Sequence, residues 1–505
     1  MPDLISVNWN KVGQPFSGLV TDDEHDIFVR REAIPLVFVP GIMGSRLRRA
    51  GTNGKGKGAD GLPNLRWDPG SGGWMWWNYS GKDGGYRKRM LVGPSFKASY
   101  LEVDNDNPVG DGFSGVMEDY WKKFLKDLKK RDWGPLAKIF EFPVYAFGYN
   151  WTDSNENSGK KLAARIKEII SEAKQVTGLC EKVILITHSM GGLVARWASE
   201  EAGAKGQILG IIHGVQPATG APAAYWRMKG GFEGGAVTSR VLGKNATEVT
   251  PVLGNLPGGL QLLPTHNHVA TSVTKPWLTV TQNGKAILSL PGSSPYSEIY
   301  RVRAVVKPAK GAKPSNNNYW GLVDPELLDP ENSNAQSSHT GGTGKNNLDA
   351  DANVCRDNWG QYLSMLNIAE TFHQKLGKKK HAETLNFWGT GHNTADVIEL
   401  RIRPANSGET KSQEPYPDRG FRGFFTGASG NLMVAEMQNP AGGGDGTVPI
   451  SSASALKSAG KTVPAETGLK VEHQPAFEDG KAQDFTVKAI IALCQKRYQS
   501  QRGST

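Results

Sequence analysis

The sequence predicts an α/β fold, with a mostly parallel central sheet flanked by helices and a large cap insertion. Three observations carry that expectation. Short apolar runs at Ile34 to Val39, Phe142 to Phe147, Val183 to Ile186 and Ile208 to Ile212 have the two-sided apolar character of strands covered on both faces. Helical spacing lies between them: Trp121, Phe124, Leu125 and Leu128 share one face of Gly115 to Arg131, and a second helix spans about Ser158 to Lys174. Strand and helix thus alternate, which calls for crossover connections and a parallel sheet.

Taken in order, residues 1–32 form a polar N-terminal extension, and 33–215 the first part of the core. Within that part, 50–95 is an insertion that opens with a glycine- and lysine-rich spacer, Ala50 to Gly61, read as mobile. It continues with a dense aromatic stretch containing Trp67, Trp74, Trp76, Trp77, Tyr79 and Tyr86. Such density serves either a local aromatic core or an interfacial patch at a water–lipid boundary, with Arg87, Lys88 and Arg89 directly behind it. Asp104 to Gly112 lacks the glutamate at the twelfth position of a calcium loop, has its central glycine misplaced, and reads as turns. Residues 216–380 form the cap, with an Asn/Gly/Ser-rich stretch near Pro314 to Asn347 and a helix from Asn358 to Lys375. Residues 381–505 return to the core with a strand at Thr384 to Trp388, a long excursion after Arg401, a strand near Leu469 to Glu472, and a helix near Phe485 to Arg497.

Composition narrows the classes of function. The chain has 505 residues, enough for two or three average domains or one enlarged α/β domain. Its first residues lack a charged segment followed by an apolar one, and no apolar run reaches bilayer-spanning length. It is therefore expected to be made in the cytoplasm without a signal peptide, and action elsewhere needs a dedicated secretion system. Cys180, Cys355 and Cys494 are too few and too scattered for a disulfide framework or a zinc site, so neither metal nor cofactor is expected. A net charge of +10 favours anionic surfaces. No nucleic-acid module accompanies it.

The chemistry centres on Thr187-His188-Ser189-Met190-Gly191-Gly192, which follows the Val183 strand and opens a helix. A serine on a strand-to-helix turn stands clear of the backbone, as a nucleophile must, and the Met190 N–H faces the oxyanion that forms in acyl transfer. Thr187 occupies the place of the first glycine of the G-x-S-x-G pattern, so the turn alone is less specific. The alternative is a serine that merely caps the helix. A second glycine loop, Pro40 to Ser45, ends the first strand and reads equally as an oxyanion loop, whose glycines let backbone N–H groups approach a ligand, or as an ordinary turn. For partners, the chain order Ser, Asp, His selects Asp445, in a glycine-flanked loop, and His473, at a strand end. His392 is the rival base, and Asp396 and Asp479 are rival acids. His188 is read as packing against loops and His213 as lining the pocket.

VPGIMGS (39–45), FGYNW (147–151), THSMGG (187–192), LPGGLQLLP (256–264), WGTG (388–391), DGTVP (445–449) and His473 stand in an order that resembles the lecithin–cholesterol acyltransferase-like lipases and the related GPI inositol-deacylase-like hydrolases. Among these, bacterial phospholipase effectors of type VI secretion systems are the most similar. The resemblance implies an α/β-hydrolase fold with Ser189 as nucleophile, Asp445 as acid and His473 as base. Ile42, Met43 and Met190 would form the oxyanion hole, and Trp74, Trp76 and Trp77 would sit in the lid or membrane-binding segment. Asn150 departs from the family's usual aspartate, and the disulfides of secreted relatives are missing. The expected activity is hydrolysis of fatty-acyl esters, phospholipids above all, at a membrane surface. An immunity protein and a secretion-spike protein are the expected partners. The alternatives are an acyltransferase using the same residues and an inactive lipid- or partner-binding module.

Overall fold

The most continuously apolar segments occupy the middle of the central sheet. This is seen in a computed structural model, which describes residues 31–93, 100–105, 113, 115–233, 236–270, 276–304, 318–331, 358–409, 422–426, 430–438 and 441–502, with two short strands at 5–6 and 26–27. The sheet is built from β1 (Leu36–Val39), β2 (Val144–Ala146), β3 (Val183–His188), β4 (Ile208–Gly214), β5 (Thr384–Gly389) and β6 (Thr467–Leu469). Their order is β6-β5-β4-β3-β1-β2, and every pairing is parallel. All residues of β1, β3, β4 and β5 are buried, because helices cover both faces.

One face packs against the helices Asn155–Thr177 and Gly191–Glu200. The first is capped by Ser154, whose side chain accepts from the Asn157 N–H, and ends at the left-handed Gly178. Its buried stripe is Leu162, Ala163, Ile166, Ile169 and Ala173. Gly159 on this helix faces Trp197 so closely that a Cβ would lie 2.7 Å from the indole. The opposite face is covered by Glu118–Lys130 and Gly480–Arg502, where Trp121, Phe124 and Phe477 pack on Phe38 of β1.

A boundary at residue 380 does not separate core from cap. A second sheet runs in the order 285–290, 278–282, 392–404, 432–437, 422–426, with 441–444 also pairing with 392–404. The strands 392–404, 422–426, 432–437 and 441–444, assigned to the core from their order in the chain, therefore belong to the cap layer. The cause is a non-local parallel pairing, Leu278 with Ile398 through Gln282 with Ile402, which periodicity within either segment cannot reveal.

The spacer Ala50 to Gly61 is also more ordered than its composition suggests. Arg66, fully buried, pairs with Asp60 at 2.8 Å, and Asn64 Nδ2 donates to the Lys55 carbonyl at 2.8 Å. Most of the Pro314 to Asn347 stretch, residues 106–112 of the turn-rich loop, and Cys355 lie outside the described residues. No helix among the described residues is long and apolar enough to cross a membrane.

The tryptophan-rich stretch folds as two short helices, Gly72–Tyr79 and Gly84–Leu91. Trp74 is half-buried against Tyr79, whereas Trp76 and Trp77 face outward, with Trp77 81% exposed. Arg87 and Lys88, read from sequence as part of a basic patch behind the tryptophans, are buried internal ties. Arg87 donates to the carbonyls of Tyr79, Arg240 and Val241 at 2.5–2.8 Å and pairs with Glu248, while Lys88 meets Asp329 at 2.6 Å. Arg89 alone is substantially exposed, and it pairs with Glu331. A buried cation removed from its partners leaves carbonyls and a carboxylate uncompensated, at a cost of about 3 kcal/mol. Arg87→Ala is accordingly expected to lower the denaturation midpoint and to speed amide exchange across 236–242. An unchanged midpoint would show that the tie is dispensable.

Candidate active site

At the end of β3 the chain turns so sharply that Ser189 takes φ 52°, a left-handed conformation that costs a non-glycine residue energy and that neighbouring contacts must hold. Its N–H donates to the Gly214 carbonyl at 3.0 Å, and its own carbonyl accepts from the Gly192 N–H at 2.9 Å. Gly191 is needed because a Cβ there would lie 2.4 Å from the carbonyl oxygens of Val39 and Pro40. Gly41 is needed for the same reason, since its Cβ would come 3.0 Å from Ser189 Cβ and 2.8 Å from His188 Nδ1. The two glycine-bearing turns are therefore interlocked. Thr187 crowds neither of them. It is still in β3, paired with Val39 and His213, and its hydroxyl meets His213 Nδ1 at 2.7 Å.

The structure brings Ser189, His473 and Asp445 together. His473 Nε2 lies 2.8 Å from Ser189 Oγ, and His473 Nδ1 lies 2.8 Å from Asp445 Oδ2. The other carboxylate oxygen of Asp445 accepts from the backbone N–H groups of Thr447 and Val448 at 2.9 and 2.7 Å. These bonds fix the carboxylate so that Oδ2 faces the ring, and an Nδ1–H donating to it leaves Nε2 able to accept the serine proton. Gly389, in the WGTG motif, makes room for this loop, because a Cβ there would lie 2.3 Å from Asp445 Cβ. A backbone bond from His473 N–H to the Asp445 carbonyl, 2.9 Å, ties the two loops directly. His473 lies four residues beyond the end of β6 rather than on a strand.

The rival residues serve elsewhere. Asp479 accepts from the N–H groups of Lys481 and Ala482 at the start of the last helix. Asp396 accepts from Ser451 Oγ at 2.6 Å and faces His268. His392 begins a cap strand and does not line the cavity around Ser189. Nor does His213, contrary to expectation, because it is wholly buried beneath the site. His188 packs between Trp121 and His473, its Nε2 donating to the His473 carbonyl at 2.7 Å.

The Pro40 to Ser45 loop carries the other expected site residues. Met43 has φ 64°, and its carbonyl accepts from Trp67 Nε1 at 2.8 Å. Tyr149 Oη donates to the Pro40 carbonyl at 3.0 Å, and the Tyr149 N–H donates to Ser45 Oγ at 3.1 Å. Asn150 suits its place, because its amide both donates to the Leu101 carbonyl and accepts from Thr152, and an aspartate could only accept. Ile42, Met43, Ser189 and His473 share a cavity of about 430 Å³ whose further wall is mostly apolar, including Met75, Met228, Val241, Leu242, Leu253 and Leu262. Gly72 and Met75 of the tryptophan-bearing helix form part of its rim.

Sequence reasoning missed Arg196. It is fully buried in the helix after Ser189, donates to the carbonyls of Ala218, Gly377 and Lys379, and has its pKa lowered by burial to about 9. Its place one turn beyond Gly192, within the apolar run Leu193 to Ala198, was the available signal.

Comparison with known proteins follows from this geometry. Residues 115–304 match the family model described as lecithin:cholesterol acyltransferase. Over that segment the chain is similar to that family. No curated protein matches it in sequence. Among solved structures, a chain in the crystal structure of the Tle4–Tli4 complex is similar at 24% identity and a TM-score of 0.65, with 92% of this chain and 99% of that one covered. That likeness extends the α/β-hydrolase fold over nearly the whole length. The Bacillus licheniformis lipase BlEst2 in its mature form (16% identity, TM-score 0.18, 45% of this chain and 62% of that one) and the phospholipase PlaB from Legionella pneumophila (11%, TM-score 0.18, 80% and 81%) are too distant in shape to carry an argument.

The histidines around the site set a stability profile. Burial lowers the pKa of His188 and His213 to about 3 and of His373 to about 4, from 6.5. Between those values and 6.5 the unfolded chain binds protons that the folded chain excludes, so stability rises with pH across that window and is lost as pH falls below 6.5. Each such group contributes a slope of about 1.4 kcal/mol per pH unit. Urea denaturation at pH 7 and pH 5 should therefore show a fall of several kcal/mol, reduced in His213→Asn; equal stability at both values would contradict neutral burial.

Proposed function

We propose that the protein is a serine lipase that hydrolyses fatty-acyl esters, with phospholipids as the preferred class. The observation that carries this reading is the hydrogen-bonded line Asp445–His473–Ser189 opening on an apolar cavity large enough for an acyl chain. His473 takes the Ser189 proton as the hydroxyl attacks the ester carbonyl. Backbone N–H groups of Met190 and of the Ile42–Met43 loop receive the oxyanion, and His473 returns the proton to the departing alcohol. Water, deprotonated by the same histidine, then cleaves the acyl-enzyme to a fatty acid and free Ser189. Asp445 holds the imidazole in the required tautomer and stabilises its protonated form.

The family match favours acyl chemistry in general, and its name keeps acyl transfer as the second reading. The two differ only in whether water or an alcohol reaches the acyl-enzyme, so product analysis with and without an acceptor alcohol separates them. The outward Trp76 and Trp77, on the helix whose other side rims the cavity, support contact with a lipid surface, with Trp74 packing that helix down. By the resemblance to type VI secretion lipase effectors, export by that route and action at a target-cell membrane belong to the same proposal, with a spike protein as carrier. The similar chain was solved as a Tle4–Tli4 complex, which supports an immunity-type partner.

Ser189→Ala and His473→Ala should each lower kcat by about 10³-fold or more, and Asp445→Asn somewhat less. A fluorophosphonate probe should label wild type and not Ser189→Ala; wild-type activity in the serine variant would remove Ser189 from the reaction. Trp77→Ser should weaken sedimentation with phospholipid vesicles several-fold, and unchanged binding would place the membrane contact elsewhere.

A further inference from the structure

Among the described residues lining the cavity that contains Ser189, Arg227 is the one lysine or arginine and Glu233 the one acid. Arg227 Nε donates to Glu233 Oε2 at 2.8 Å, and its Nη2 donates to Thr447 Oγ1 at 3.0 Å. Thr447 belongs to the loop that fixes Asp445, through the bond from its N–H to Asp445 Oδ1. The guanidinium also lies over the Phe232 ring, 5.2 Å from its centroid. The pair is unequally exposed: the Arg227 side chain at 20% sits inward, and Glu233 at 42% sits toward solvent.

A partly exposed ion pair contributes little to stability, and placing a cation in an otherwise apolar wall carries a desolvation cost. Stability alone therefore does not account for it. Thr447 and Phe232 keep the guanidinium in position without Glu233, so the outer carboxylate can leave and the cation stays aimed. A planar guanidinium presents parallel N–H donors that match two phosphate oxygens, and an anion on Nε replaces a carboxylate charge for charge. The apolar residues Val241, Leu242 and Leu253 of the cavity wall belong also to a small adjoining pocket lined by Leu91, Val249, Tyr79 and Arg87.

We infer that Arg227 binds the phosphate of a glycerophospholipid whose ester lies at Ser189, and that Glu233 is the resident carboxylate the phosphate displaces. This rests on the phospholipid-hydrolase reading and adds the residues that recognise the headgroup phosphate. The phosphate is taken to arrive as part of a lipid headgroup rather than as the free ion.

The test uses the full-length protein with phosphatidylglycerol and diacylglycerol of identical acyl chains in detergent mixed micelles, and reads the ratio of their kcat/KM values. Arg227→Ala should lower that ratio about tenfold, Arg227→Lys should restore part of it, and Glu233→Gln should raise it several-fold, because the competing carboxylate is gone. An equal loss on both lipids in Arg227→Ala, together with no rise in Glu233→Gln, would reduce the pair to a structural contact and overturn the inference. Inorganic phosphate that inhibits diacylglycerol hydrolysis by wild type but not by Arg227→Ala, together with a lipid ratio that Arg227→Ala leaves unchanged, would assign the site to free phosphate and overturn the lipid source. If wild type hydrolyses neither lipid, the hydrolase reading itself fails; if it hydrolyses both and the ratio does not move, only the role of Arg227 fails.

Discussion

Everything at this site depends on how little space separates the turn after β1 from the turn after β3. The two strands are hydrogen-bonded neighbours, and their connecting loops meet where neither Gly41 nor Gly191 can carry a Cβ. That contact braces Ser189 at φ 52°, and Ile42 and Met43 of the first loop line the same cavity as the serine. The strain of two non-glycine residues in left-handed conformation, of order 1–3 kcal/mol each, persists because the surroundings over-determine it. Trp67 and Tyr149 hold the carbonyls of Met43 and Pro40, and both side chains are locked in an aromatic cluster with Tyr79, Trp151 and Phe147. The separated sequence motifs thus converge for a mechanical reason. FGYNW braces the first glycine loop, LPGGLQLLP packs against FGYNW where a Cβ on Gly258 would lie 2.3 Å from the Trp151 carbonyl, and WGTG seats Asp445.

The parallel sheet and the serine turn were legible because their signals are local. Continuous apolar runs mark strands covered on both faces, and a strand, a tight turn and a helix in immediate succession leave few alternatives. Asp445 and His473 were legible by chain order, and His473 was misread only as lying at a strand end. What escaped was set by contacts between distant segments. The cap sheet pairs 278–282 with 392–404, and nothing in either segment names its partner. Glycine-rich composition suggested mobility at 50–61, where one ion pair reaching from the buried Arg66 supplies order. Arg87 and Lys88 read as surface charge because basic residues usually are, and here their partners are carbonyls and carboxylates far along the chain.

These buried cations share a physical logic with the buried histidines. Each polar group inside the molecule must find a partner or stay neutral. Arg196 meets three carbonyls, two of them at the end of the Asn358–Leu376 helix, and so binds the helix after Ser189 to the cap. His188 stays neutral, and its ring joins Trp121 on one side to His473 on the other, so the packing of the Glu118–Lys130 helix reaches His473. Thr187, the departure from the glycine pattern, belongs to the same set, with its hydroxyl pairing beneath the site with His213.

The loop that carries Asp445 belongs to two layers at once. Residues 441–444 pair with the cap strand at 392–404, and Asp396 on that strand accepts from Ser451 beyond the loop. Asp445 itself rests on Gly389 at the end of β5 and bonds to the backbone of His473. Further ties reach from the cap side, with the Thr219 N–H donating to Ser452 Oγ and Arg227 donating to Thr447. The turn carrying Ser189 is held at the end of the central sheet, while the loop carrying the carboxylate that orients His473 is held by the cap sheet as well. A hydrogen-bonded line of 2.8 Å steps tolerates little misplacement, since a shift of one ångström breaks either bond. The line from Asp445 to Ser189 therefore measures how well the two layers are seated. It follows that the cap is no removable cover: its sheet helps to set the carboxylate, and any displacement of that sheet also loosens the histidine.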